Sequence, residues 1–162
     1  ANLIAVGLDG SIDGFCDKMN KRALELGATK THFANPNGLH DENHYTCAYD
    51  MYLMFNEAIK NEEFKQIIGM MDYSTSYKDA DGNPKDFKCE TTNRYLKGQV
   101  SAPTNVTVVG GKTGTTLAAG ACLVLLSRSA SGKQYISCVM KGDNIDVTYA
   151  KTNALLELID GY

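Results

Sequence analysis

At 162 residues, 43% of them hydrophobic, the chain has the length and apolar content of a single domain with its own core. Its 15 glycines and 3 prolines carry no low-complexity bias, and a net charge of -3 disfavours nucleic acid or an anionic membrane as partner, since both need a basic surface. No run reaches the roughly 20 apolar residues of a membrane span, and the opening ANLIAVGLDGS lacks the basic start of a signal peptide.

In chain order, Ala1 to Leu8 is apolar and begins without a cap, which reads as a cut from something longer. Ser11 can cap a helix to about Leu26, because Phe15, Met19, Ala23 and Leu26 recur at three- and four-residue spacing and Gly27 supplies a left-handed stop. FANPNGLHDENHYT follows with turn signals and no period, hence a structured loop. Thr46 caps a second helix with Met51, Met54, Phe55, Ala58 and Ile59 on one face, and Asn61 begins a shorter one through Ile68. Tyr73 to Thr92 alternates around Asp81-Gly82, a hairpin signal. After Pro103, Asn105 to Val109 reads as a strand. Ala121 to Ser129 and Gln134 to Met140 are two more, joined at Ser131-Gly132, and Val147 to Asp160 is a closing helix with Leu155, Leu156 and Ile159 inward. Helices, a hairpin, three antiparallel strands and a last helix make an α+β domain, with no repeat and no internal linker.

Cys16, Cys47, Cys89, Cys122 and Cys138 are odd in number, dispersed and without a C-x-x-C pair. A zinc ribbon or redox motif is excluded, no disulfide framework is expected, and composition alone points to reduced or low-oxygen surroundings.

The stretch VVGGKTGTT, Val108 to Thr116, invites two readings. A phosphate loop, G-x-x-x-x-G-K-[ST], requires glycine where Val106 stands, and valine does not readily take the positive φ of that turn. Gly114, Thr115, Thr116 and Gly120 also disfavour the helix whose N-terminus would hold the anion, so nucleotide binding is the weak alternative. A metal site is tested by His40, Asp41, Glu42 and His44, with His32 nearby. Their H-x-E-x-H spacing matches neither zinc pattern that relies on a helix, and the blander reading is a hydrogen-bonded loop with His44 packed beside Tyr45. No metal and no cofactor is expected.

Lys-Thr-Gly on a strand is the third element of active-site serine penicillin-recognising enzymes. Lys112 offers a cation for a substrate carboxylate, Thr113 a hydroxyl to hold it, Gly114 room for substrate backbone, and Thr115 a backbone N–H for an oxyanion. The tripeptide alone is a weak signal, but MNKRALELGATKTHFANPNGL, HYTCAYDM, TTNRYL and VGGKTGTTLAAGACLV accompany it. In these segments, in their order and across nearly the whole chain, the sequence resembles the low-molecular-weight D-alanyl-D-alanine carboxypeptidases, serine-type penicillin-binding proteins that trim peptidoglycan stem peptides.

The resemblance implies acyl transfer: a serine attacks the D-Ala-D-Ala bond, D-alanine leaves, water takes the acyl group, and β-lactams leave a slow acyl-enzyme. By position Lys112 would bind substrate and tune protons, Thr113 would contact the carboxylate, Thr115 would supply half the oxyanion hole, and Thr116 is an outside candidate for carboxylate contact. His44 would be structural. The implied partners are a stem peptide or a β-lactam, without cofactor, outside the cytoplasmic membrane in the cell envelope.

Two elements are missing. No serine is followed by lysine three residues later, and no Ser-x-Asn occurs, Thr91-Thr92-Asn93 being the nearest form. The arginine that the family often carries before its last helix is absent from GDNIDVTYA, which leaves Lys112 and the threonines, or Arg94 or Arg128 if either reaches the cleft. The expectation is therefore a single truncated catalytic domain over 1–162, the later part of a serine β-lactamase/DD-peptidase-like α+β fold. It would be inactive alone and prone to dimerise or swap elements through faces left bare. The rival class is a non-catalytic module that recognises D-Ala-D-Ala peptides.

Overall fold

The computed structural model describes residues 1–159; the closing helix ends at Glu157, short of the expected Asp160, and Leu155 is exposed where the sequence reading turns it inward. Helix ends follow side-chain chemistry. Ser11 accepts the Gly14 N–H to start α2 (Ile12–Glu25), behind a short α1 (Asn2–Asp9) that has no side-chain cap. Asn61 accepts the Phe64 N–H to start α4 (Glu62–Gly69). For α3 (Ala48–Ala58) the cap is Cys47 and not Thr46: the Thr46 hydroxyl is paired with that of Thr31 at 2.8 Å instead. Asn144 caps α5 (Ile145–Glu157), two residues ahead of the sequence expectation, because its side chain reaches the Val147 N–H.

The hairpin forms as expected from β1 (Asp72–Lys78) and β2 (Pro84–Glu90), with Gly82 at φ 82° in the turn. The second sheet has the order β3-β4-β5, all antiparallel, from β3 (Val106–Thr116), β4 (Gly120–Ser129) and β5 (Gln134–Gly142). β3 is an edge strand and runs seven residues past the expected end at Val109. Its glycines and lysine hide strand character from propensity, which the ladder to β4 overrides.

Residues 121–126 of β4 form an unbroken apolar run because the sheet is covered on both faces there. Leu123 and Leu125 meet Tyr95, Val106, Tyr149 and Leu156 on the α5 side. Val124 and Leu126 meet Phe55 and Ile68 on the α3 and α4 side. Leu125 and Leu126 are fully buried, and truncating either to alanine would cost about 2–5 kcal/mol. The result is a helix–sheet–helix layering of α+β class, with the hairpin standing outside it.

Candidate active site

An irregularity in β3 decides where Lys112 points. Val106 and Val108 face α5, so simple alternation would put Lys112 there too. Between Val108 and Gly110 the register with β4 shifts by one residue, a bulge that reverses the faces beyond it. Lys112 now stands opposite Val124 and emerges on the α3/α4 side, exposed, while Thr113 stands opposite Leu123. Gly114 pairs with Cys122 and Thr115 with Ala121.

Glycine serves two different ends along this strand. A Cβ on Gly110 would lie 2.6 Å from the Ile68 carbonyl oxygen, and one on Gly69 2.8 Å from that of Val109, so the end of α4 lies flush on the β3 backbone only because both lack side chains. At Gly114 a Cβ would meet nothing within 4 Å. Packing inside the chain does not require glycine there; the space lies open on the face that Lys112 shares.

Two cavities meet at Lys112. One of about 640 Å³ is lined by Ile67, Met70, Met71, Tyr73, Thr92 and Lys112 among others, between α4, the hairpin base and β3. The second, of about 260 Å³, runs from Lys112, Thr113 and Gly114 to Phe55, Cys122 and Cys138. The Lys112 ammonium group folds onto the Thr113 carbonyl. The Thr113 and Thr92 hydroxyls lie 2.5 Å apart. The Thr116 hydroxyl accepts the Ala119 N–H at 2.9 Å, tying it to the β3–β4 turn. In the smaller cavity, burial and the neighbouring thiols push Cys138 up to about 11, which leaves it a protonated, poor nucleophile at neutral pH.

Neither arginine is directed at this edge. Arg94 is held 2.5 Å from the Asp146 carboxylate and over the Tyr149 ring, and Arg128 stands opposite Thr107, five positions down β3 from Lys112. The histidine loop is closed by paired backbone bonds between His32 and Tyr45 and by Asn43 accepting at its carbonyl from the His32 ring at 2.5 Å. His44 packs edge-on against Phe33, not beside Tyr45, and its Nδ1 accepts the Ala34 N–H. Burial holds it below the usual imidazole value, against the pull of Asp41, which favours the neutral ring at neutral pH. Among the described residues no three His, Cys, Asp or Glu side chains are placed to hold a metal.

Sequence reasoning missed Thr92 and Asp50. Asp50 is 2% exposed and accepts from the Lys30 N–H at 2.7 Å and the Thr31 hydroxyl at 2.8 Å, which pins the start of the histidine loop to α3. An aspartate in a first helical turn is a weak signal; its burial depends on a segment 20 residues away. No local pattern announces the Thr92 contact, which spans 21 residues.

A family model described as D-alanyl-D-alanine carboxypeptidase matches residues 2–144. Among curated proteins, the chain is 36% identical over 126 residues to D-alanyl-D-alanine carboxypeptidase DacF of Bacillus subtilis strain 168, covering 76% of this chain and 29% of that protein. To D-alanyl-D-alanine carboxypeptidase DacA of Haemophilus influenzae it is 29% identical over 139 residues, covering 85% and 32% respectively. Among solved structures, a D-alanyl-D-alanine carboxypeptidase from Mycobacterium tuberculosis superposes with a TM-score of 0.76 at 26% identity, over 99% of this chain and 56% of that one. The Streptomyces K15 DD-transpeptidase gives 0.78 at 24% identity, over 90% and 54%, a likeness of fold. The chain thus spans about a third of the two curated relatives and just over half of the two solved chains.

Proposed function

Because this chain belongs to the D-alanyl-D-alanine carboxypeptidase family of serine peptidases, we propose that its β3 edge is the wall of a DD-peptidase cleft that holds the D-Ala-D-Ala end of a peptidoglycan stem peptide, or a β-lactam. The observation that carries this reading is the bulge-directed placement of Lys112 and the unfilled space at Gly114 on one face of an open edge strand, with the Thr113 hydroxyl at the same edge against Thr92. Lys112 supplies positive charge for the terminal carboxylate. Thr113 donates a hydroxyl hydrogen bond to it, and charge-assisted bonds of this kind are the strong ones. Gly114 lets ligand backbone approach, and the Thr115 N–H serves as one oxyanion donor. Thr116 lies at the far end of the strand, where its hydroxyl proton remains available to a longer ligand.

Acyl transfer also needs an activated serine. No serine here has a lysine three residues on, so this chain binds but does not form an acyl-enzyme. The working setting is the bacterial cell wall, outside the cytoplasmic membrane. Incubation with a fluorescent penicillin tests the reading: saturable binding that weakens in Lys112→Ala and Thr113→Val, with an unchanged intact mass, is expected. A covalent adduct would overturn the non-acylating part, and binding indifferent to both substitutions would overturn the site.

A further inference from the structure

Thr113 can hold a carboxylate only if its hydroxyl proton points outward, and a free hydroxyl rotates. The Thr92 hydroxyl lies 2.5 Å from it, and Thr92 itself is fixed by its neighbours. On one side the Thr91 N–H donates to the Met71 carbonyl at 2.8 Å, at the hairpin base. On the other, Asn93 is 1% exposed and accepts the Tyr95 N–H, the Arg94 N–H donates to the Tyr149 hydroxyl at 2.8 Å, and the Tyr95 hydroxyl donates to Asn153 at 2.8 Å. Residues 91–95 are thereby clamped between the hairpin and α5, with the side chain of Thr92 aimed at the β3 edge. Both arginines that could have met a carboxylate are engaged or placed elsewhere.

We propose that Thr92 is a positioning residue for carboxylate recognition: it donates its hydroxyl proton to Thr113, so that the Thr113 proton is directed at the ligand. Two hydroxyls in series polarise each other and strengthen the outer bond, which supplements the single charge of Lys112. The inference rests on the cleft reading above and adds a residue to it.

The test compares wild type, Thr92→Val and Thr92→Ser in two ways. Without ligand, the orientation of the Thr113 hydroxyl is read by low-temperature NMR from the coupling between its hydroxyl proton and Hβ; with ligand, affinity for N-acetyl-D-Ala-D-Ala is compared with that for its C-terminal amide. Thr92→Val is expected to release the Thr113 hydroxyl to rotational averaging and lower the acid-over-amide preference about tenfold, with Thr92→Ser restoring both and an unchanged melting temperature. An unaltered Thr113 hydroxyl orientation overturns the proposal whatever the ligand does. So does an altered orientation with the preference intact. A wild-type chain that takes acid and amide equally sinks the cleft reading itself, and this one with it.

Discussion

Gly110 and Gly114 stand four residues apart on one strand, and alanine at each should have opposite consequences. At Gly110 the new Cβ would sit 2.6 Å from the Ile68 carbonyl oxygen, 2.7 Å from its carbon and 2.9 Å from the Gly69 nitrogen. These are backbone atoms at the end of α4, so they cannot turn aside as a side chain would. Forcing them apart is an overpacking change of about 1–3 kcal/mol. For a domain of this size that lowers the melting temperature by about 2–12 °C. At Gly114 the Cβ meets no atom within 4 Å, and removing a glycine from a strand stiffens the unfolded chain, so stability should hold or rise by about 0.5–1 kcal/mol. On the proposed cleft reading ligand binding should fall, because the methyl group enters the open space proposed for ligand backbone. Differential scanning fluorimetry and a penicillin-displacement titration on both variants read these effects separately. A Gly114→Ala chain that melts unchanged yet binds as wild type would refute the claim that this glycine is kept for the ligand. A Gly110→Ala chain of wild-type stability would refute the packing argument.

Two further outcomes follow from other parts of the molecule. Burial raises the Asp50 carboxyl, but the hydrogen bonds from Thr31 and the Lys30 N–H outweigh it and hold the group below its ordinary value of 3.8. A group depressed in the folded state stabilises fully above its unfolded value and loses that contribution as pH falls through the folded one; Asp50→Asn should therefore cost about 1–3 kcal/mol near neutral pH and flatten the acid limb of a melting-temperature profile below pH 3.8. An equally steep acid limb in the variant would contradict it. On α1, Leu3, Ile4 and Leu8 are 89%, 63% and 68% exposed, an apolar stripe that supports self-association. Light scattering should show concentration-dependent dimerisation that Leu3→Glu and Ile4→Glu reduce; a wild-type monomer at high concentration would count against it.

Helices α2 and α4 and the hairpin were legible because their signals are local, whereas α1, without a side-chain cap, was not read as a helix. Ser11, Asn61 and Gly82 sit where capping and turn chemistry require them. β3 was cut short at Val109 because two glycines and a lysine carry no strand propensity, and only the pairing with β4 makes that segment extended. The candidate site residues Lys112, Thr113, Gly114, Thr115 and Thr116 were proposed from the KTG pattern and its neighbours. Their arrangement could not be read from it. The bulge that turns Lys112 to the α3/α4 face depends on register between strands, and the Thr92 contact on a clamp formed by the hairpin and α5. Arg94 illustrates the limit from the other side: it lies two residues from Thr92, yet its charge is taken up by Asp146, which sequence spacing does not reveal.

The cleft reading is tested most directly by titrating the 15N-labelled chain with N-acetyl-D-Ala-D-Ala and following its backbone amides. Shifts confined to Lys112 through Thr116 and to Thr92, lost in Lys112→Ala, are the expected result. Saturating shifts centred elsewhere, such as on the His40 to His44 loop, or none at millimolar peptide, would contradict it.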